Sequence, residues 1–368
     1  MTNYPSLIDD TRGFHVPMTC TDLVETMQFF TGQLGFRIDA IFPADSPNTA
    51  ILSAHNLTLW LTVGTPDRGV RELLLLCSDP RQHLDGKREL IAPNGVVVRL
   101  VHADPPMRLP ATRQELVLSS ATDNVSWSVG RAGLRYRDLL PNRHGGAFIA
   151  SHIRILDGGP VPDYVHYHKV RFQAIFCRKG WVRVVYEGQG EPIVMQSGDC
   201  VLQPPEIRHR VLESSSGAEV VEIGSPAEHI TVADHQMTLP TEMYPGDYDF
   251  GGQRFARHIA AQAKWQPWNS DGFVMADTGI GAATNGLAGI RVVRPAHANL
   301  GAVRCHATEF CFFFVLSGSL TVEHDGRSHT LRADDSLTIP GGLAYRFSDC
   351  SADLELLEVT LPDTFELA

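Results

Sequence analysis

The feature that most constrains this chain is that its larger, C-terminal part repeats itself. Gly180-Trp181-Val182-Arg183-Val184 is matched by Gly318-Ser319-Leu320-Thr321-Val322, and Gly198-Asp199 with Gln203-Pro204 by Asp334-Asp335 with Ile339-Pro340. Glu222-Ile223-Gly224-Ser225-Pro226 is matched by Glu358-Val359-Thr360-Leu361-Pro362, and Arg137-Asp138-Leu139 by Ala276-Asp277-Thr278, each of the last two ahead of a Gly-rich turn. The pairs fall at nearly one offset, with short β-rich runs between them punctuated by Gly and Pro. From Trp127 onward the chain therefore reads as two β-barrels or sandwiches of about 110 residues each. Segment 230–255, with Pro240, Pro245 and Gly246, reads as the bridge between them.

The stretch ahead of the repeat has a different pattern. A short strand at Phe14-His15-Val16 precedes an amphipathic helix opened by Asp22 and Glu25 at capping-box spacing, with Leu23, Met27, Phe30 and Leu34 as its apolar stripe. After Gly35 come apolar runs at Arg37–Phe42, Ala50–Ser53 and Leu57–Val63. An abbreviated second unit follows, Arg71–Cys77 and an Asn94-Gly95 turn into Val96–Val101, with little sign of a helix. The chain thus divides into 1–104, a Pro- and Ser/Thr-rich linker 105–125, a first barrel 126–235 and a second barrel 236–368. It is mostly β with an α+β N-terminal domain.

Composition excludes several classes of function. Of 368 residues, 31 are Lys or Arg and 42 Asp or Glu, a net charge of −11. No basic excess exists to release phosphate counterions, which argues against nucleic acid and anionic membranes as partners. No run approaches the roughly 18 apolar residues of a membrane span. The seven cysteines form no Cys-x-x-Cys pair, and the opening MTNYPSLIDDTRG lacks the basic and apolar regions of a signal peptide. A reducing cytoplasm is the expected compartment, with Cys177 and Cys200 as small buried hydrophobes.

Sixteen histidines are more than such a chain needs, and three of them share a pattern. On a strand alternate residues share a face, so His166 and His168 project the same way, with Tyr164 in the same parity. Gln173 lies five residues beyond His168, and His209 follows the Pro204-Pro205 turn. A His-x-His pair alone also suits an ordinary strand, and Tyr164 alone an ordinary core.

The two runs, Gly159 to Gly180 and Gly198 to His209, resemble the paired signatures of the cupin superfamily: Gly, His-x-His, an acid and Gly, then Gly-x5-Pro-x-Gly-x2-His. The resemblance covers 127–368 as two tandem double-stranded β-helix (jelly-roll) barrels. It implies one divalent metal held by His166, His168 and His209 inside the first barrel. Gln173 stands where that family has Glu, and Glu206 where it has Gly. A neutral Gln leaves the full +2 charge of the metal, which favours an anionic partner such as an enolate, catecholate, carboxylate or thiolate. The three-histidine set is similar to that of cupin dioxygenases, with Fe(II) preferred and Ni, Mn, Cu or Zn open, a small-molecule substrate and O₂ as reactants, and Gln173 and Tyr164 positioning them. A non-oxidative metal-dependent lyase, isomerase or hydrolase, and a non-enzymatic metabolite-binding module, are the alternatives.

In the second barrel His166 becomes Arg304, Gln173 becomes Cys311 and His209 becomes Tyr345, while His306 is kept where the first has His168. A guanidinium repels a cation, so this site is expected to be metal-free. His152 and Arg154 share one strand face and are weighed as anion-binding groups at the mouth or a solvated face. His229, replaced by Phe365 in the second barrel, is a weaker candidate near the site. The N-terminal segment resembles the glyoxalase/vicinal-oxygen-chelate fold. His15 alone stands at one of that family's ligand places, with Arg99 where an acid is usual and Glu72 as an unsupported second ligand. That domain is therefore expected to be non-catalytic. Both families often pair through sheet edges, so a homodimer is the expected assembly.

Overall fold

The computed structural model describes residues 15–42, 48–65, 70–82, 87–122, 126–129, 133–296 and 302–366. Phe14, read as part of the first strand, lies outside them. The chain divides into two compact units, Met1–Pro106 and Met107–Ala368.

In the first unit the helix Leu23–Leu34 forms where the apolar stripe places it. Asp22 accepts a hydrogen bond from the Glu25 amide at 2.9 Å, and Gly35, with φ of +68°, ends the helix in the left-handed conformation glycine permits. Leu23, Phe30 and Leu34 are buried against the four-stranded sheet Val16–Cys20, Leu57–Val63, Thr49–Ala54 and Arg37–Phe42, whose first two strands are parallel. A three-stranded sheet of Glu72–Cys77, Val97–His102 and Glu89–Ile91 follows. Where a helix of the second half would stand, the described residues hold only a 3₁₀ turn at Pro80–Gln82. No helix among the described residues is long and apolar enough to cross a membrane.

The second unit is built from four sheets that fall into two matched barrels. In the first barrel a seven-stranded sheet, whose centre is Cys200–Leu202, Phe172–Lys179, Ala218–Ser225 and Ile149–Ile155, faces one containing Ile193–Gln196, Trp181–Tyr186, His209–Ser214, His166–His168 and Thr231–Ala233. In the second barrel Ser336–Thr338, Phe310–Ser317, Glu355–Leu361 and Gly289–Pro295 face Arg327–Arg332, Ser319–His324 and Arg346–Cys350.

The central strands are apolar on both faces because both are buried. From Phe310–Ser317, Phe310, Phe312, Phe314 and Leu316 enter a core shared by the two barrels, while Cys311, Phe313 and Val315 fill the interior of their own. Phe148 of the first barrel stacks on Phe310 of the second, ring centroids 4.3 Å apart and nearly parallel. At the rim of this core Arg171 holds Glu309 through three hydrogen bonds of 3.0–3.1 Å.

Two arms tie the barrels further. Val117–Ser119, within the stretch read as a linker, pairs with Ser336–Thr338 and extends the second barrel's large sheet. Gln114 donates to the carbonyls of Thr308 and Glu309. Correspondingly, Ala256–His258 pairs with Cys200–Leu202 of the first barrel, and Tyr244, Phe250 and Phe255 pack on that barrel's interior cluster. Much of the segment read as a bridge is therefore wall of the first barrel, and Thr231–Ala233 is a strand alongside His166–His168.

Truncating a fully buried ring in the shared core removes contacts from both barrels. Phe310→Ala should destabilise the protein by about 3–5 kcal/mol, read as a lower midpoint in denaturant. A midpoint close to wild type would mean that the barrels do not depend on this interface.

Candidate metal centre

Three elements bring the histidines together. His166 and His168 are two residues apart on one strand, so their side chains share a face, and His209 is paired directly across from His166 in antiparallel register. The turn that delivers His209 passes through Glu206 at φ +61°, a left-handed conformation that costs a non-glycine residue about 1 kcal/mol. Its amide donates to the His168 carbonyl at 3.1 Å, fastening the turn to the strand it must face. One ring nitrogen from each of His166, His168 and His209 lies within 4.8 Å of the other two.

The hydrogen bonds at the other ring nitrogens fix how the imidazoles are used. His166 Nδ1–H donates to the Tyr164 carbonyl at 2.8 Å and His209 Nδ1–H to the Ile207 carbonyl at 3.0 Å. A carbonyl can only accept, so both rings carry a proton on Nδ1, and the neutral form of each ring has its lone pair on Nε2. His168 Nδ1 meets the Thr231 hydroxyl at 2.9 Å. Backbone or hydroxyl partners at Nδ1, with Nε2 as the donor atom, are the arrangement in which histidines bind transition metals. The residues fit such an ion.

His168 and His209 line a cavity of about 440 Å³ inside the first barrel. Ile149, Ile153, Ile155, Val182, Val184 and Val220 make an aliphatic wall. Its polar lining includes His168, His209, Gln173, Glu222, Gln203 and Tyr186. Gln173 is buried and donates through Nε2 to Glu222 Oε1 at 2.5 Å. The Tyr186 hydroxyl, fully buried, accepts from Gln203 Nε2 at 3.0 Å, and burial pushes its pKa well up, so it stays protonated. Tyr164 is 42% exposed and stands at the rim, its ring 5.9 Å from that of His166. His229 packs edge-on against His168, at 5.3 Å, and lines the same cavity.

Sequence reasoning missed Glu222, Tyr186 and Gln203. Glu222 left a signal: it is an acid inside the apolar strand Ala218–Ser225, at the parity that faces the interior. His152 and Arg154 do not line the mouth. Ile149, Ser151, Ile153 and Ile155 take the inward face of their strand, which turns His152 outward, where it is buried against Glu219 at 2.8 Å and against Phe314 of the second barrel. His152, Glu219 and Asp334 approach one another, but Arg154 and Arg178 pair with the two acids, making this an ionic network between barrels.

The second barrel repeats the frame and closes the site. Arg304 and Tyr345 form the one bridge equivalent to His166 and His209. The Arg304 guanidinium bonds the Ser270 hydroxyl and lies over the Phe347 ring at 4.6 Å. His306 is turned by Thr308 and flanked by Tyr345 and Phe365, so Phe365 occupies the place that His229 has beside His168. Among the described residues, no group of His, Cys, Asp and Glu capable of holding a metal occurs there. In the first unit His15 is exposed beside Trp60, 5.5 Å between rings, and Glu72 is paired with Arg99 at 3.1 Å. Neither joins a metal-binding group among the described residues.

With this geometry in hand, likeness to known proteins places the fold. Residues 291–360 match the family model described as "Cupin domain". The structure is similar to the protein Ylba from E. coli (10% identity, 70% of this chain and 95% of that one, TM-score 0.50). It is equally similar to oxalate decarboxylase from Bacillus subtilis, seen in a deletion variant (14% identity, 72% and 80%, TM-score 0.50) and in a structure reported for its Mn(II) centres at the same figures. No curated protein matches the sequence. The C-terminal unit is thus a pair of cupin-type jelly-roll barrels, with the family-model match on the second barrel and the three histidines in the first.

The tautomers can be tested on the protein alone. Long-range ¹⁵N–¹H correlation of metal-free, histidine-labelled protein, recorded where the rings are neutral, should show His166 and His209 as Nδ1–H tautomers. A neutral ring with Nδ1 unprotonated at either position would contradict the hydrogen-bond assignment.

Proposed function

We propose that the first barrel binds one divalent transition metal through His166, His168 and His209, and that the protein is a metal-dependent oxygenase. The observation that carries the reading is that one ring nitrogen from each of His166, His168 and His209 lies within 4.8 Å of the other two, while His166 and His209 are held through Nδ1–H by backbone carbonyls. A metal bound there would supply Lewis acidity and, if redox-active like Fe(II), a means of reaction with O₂. Ni, Mn, Cu and Zn are the alternatives, and the Mn(II) of oxalate decarboxylase keeps manganese prominent among them.

The cavity narrows the substrate class. Its aliphatic lining suits an apolar body, and its few polar groups a single chelating or anionic head: an enolate, a catecholate or hydroxyaromatic, a carboxylate or a thiolate. Glu222 would repel a second negative charge, which disfavours a small dianion such as oxalate. Tyr186 O–H can donate to the head group, since its oxygen already accepts from Gln203. Gln173 orients that head group, and Tyr164 and His229 border the cavity's entrance. A second reading, a non-oxidative lyase, isomerase or hydrolase, is favoured by Glu222 itself, a carboxylate able to move a proton within the cavity. For the first unit we propose a non-catalytic glyoxalase-like module, supported by its strand–helix–three-strand order.

Metal analysis tests the centre: wild-type protein should hold stoichiometric metal, and His166→Ala and His209→Ala should fall to background. Full metal content in both variants would refute the assignment. Turnover of β-diketones, catechols, hydroxyaromatics and thiols should then consume O₂ and stop under anaerobic conditions. Undiminished anaerobic turnover would establish the non-oxidative reading.

A further inference from the structure

The second barrel supplies an internal control for the carboxylate in the first. Glu358 and Glu222 occupy the same place in their barrels: Glu358 faces Arg291 and Phe313 across its neighbouring strands, and Glu222 faces Ser151 and Ile175. In the second barrel the charge is answered on the spot, since Arg291 approaches Glu358 at 3.5 Å and the Trp268 indole N–H donates to it at 3.1 Å. In the first barrel Ser151 stands in the place of the arginine, and Glu222 instead accepts from the Gln173 amide. Glu222 thus lines the cavity with an amide, and no arginine, as its hydrogen-bond partner.

Chemistry fixes the orientation of that amide. A carboxylate only accepts, so the Gln173 nitrogen must face Glu222 and the Gln173 oxygen must face away from it. Gln173 is 1% exposed, and its Oε1 has no hydrogen-bond partner in the protein. A buried amide oxygen left without a partner is costly, and Gln173 is among the residues that line the cavity with His168 and His209. Donating to an anion at 2.5 Å shifts electron density onto the amide oxygen and makes it a stronger donor to a cation.

Resting on the metal-binding reading above, we propose that Gln173 and Glu222 act as one unit on the metal. Gln173 Oε1 is a fourth protein donor, and Glu222 is a positioning residue that holds the amide and lends it negative charge. The site then recovers through two residues the anionic character that a lone glutamine lacks.

The test is a double-mutant cycle on full-length protein with Co(II) as the probe, its dissociation constant measured by competition with a chromophoric chelator. Glu222→Gln keeps shape and removes charge, and should weaken Co(II) binding about 10- to 100-fold, the range for partners that hold a metal ligand. Gln173→Ala should weaken it at least as much, and the double variant should bind no more weakly than Gln173→Ala alone. Gln173→Glu combined with Glu222→Gln, which moves the charge onto the donor itself, should restore affinity. The visible Co(II) spectrum should change in Gln173→Ala, reporting a lost donor, while far-UV circular dichroism stays constant. Additive losses, or a Glu222→Gln affinity within twofold of wild type, would overturn the proposal. Equal Co(II) binding by wild type and His166→Ala would instead refute the metal centre on which it rests.

Discussion

The core shared by the two barrels is the constraint from which the site follows. Strands that must bury one face against a partner barrel and the other inside their own have no freedom to slip, because a shift of one residue exchanges the two faces. Ala174 and Phe176 are held in the shared core with Phe148, Val221, Phe310 and Phe312. That commitment turns Gln173 and Ile175 into the cavity of the first barrel, and the same alternation on the next strand turns Val220 and Glu222 inward beside them. The interface thus sets which side chains of the large sheet can reach the histidines, which come from the opposite sheet.

What was legible in the sequence was local. Parity alone put His166 and His168 on one face, the Pro204-Pro205 turn announced His209, and the Asp22–Glu25 spacing marked the helix start where it occurs. What was not legible depends on partners distant in the chain. Strand Val117–Ser119 looks like linker because Ser336–Thr338, which gives it a sheet to join, lies more than two hundred residues away. Alternation told that His152 and Arg154 share a face but not which one, since that depends on where the second barrel docks. Glu222 reaches Gln173 only through the register of two adjacent strands, and a separation of 49 residues along the chain conceals it.

The two barrels show how one frame can open or close the same position. Arg304 is placed by the same pairing that places His166, yet it is enclosed by Ser270, Trp268 and Phe347, and burial pushes its pKa down from the usual arginine value. Glu358 is likewise buried, and burial drives its pKa up against the pull of Arg291 and the Trp268 indole. Each charge is tolerable because the others are present, and removing one partner from such a set typically costs about 3–5 kcal/mol. Restoring histidine at 304 alone would leave Glu358, Tyr345 and the ring cluster around them in place, so a single substitution does not recreate the three-histidine set in the second barrel. The first barrel differs at linked positions: Ser151 for Arg291, Gln173 for Cys311, His209 for Tyr345 and His229 for Phe365. Those exchanges keep its carboxylate facing into the cavity instead of locked in an internal ion pair, so the open site is a property of the set rather than of its three histidines.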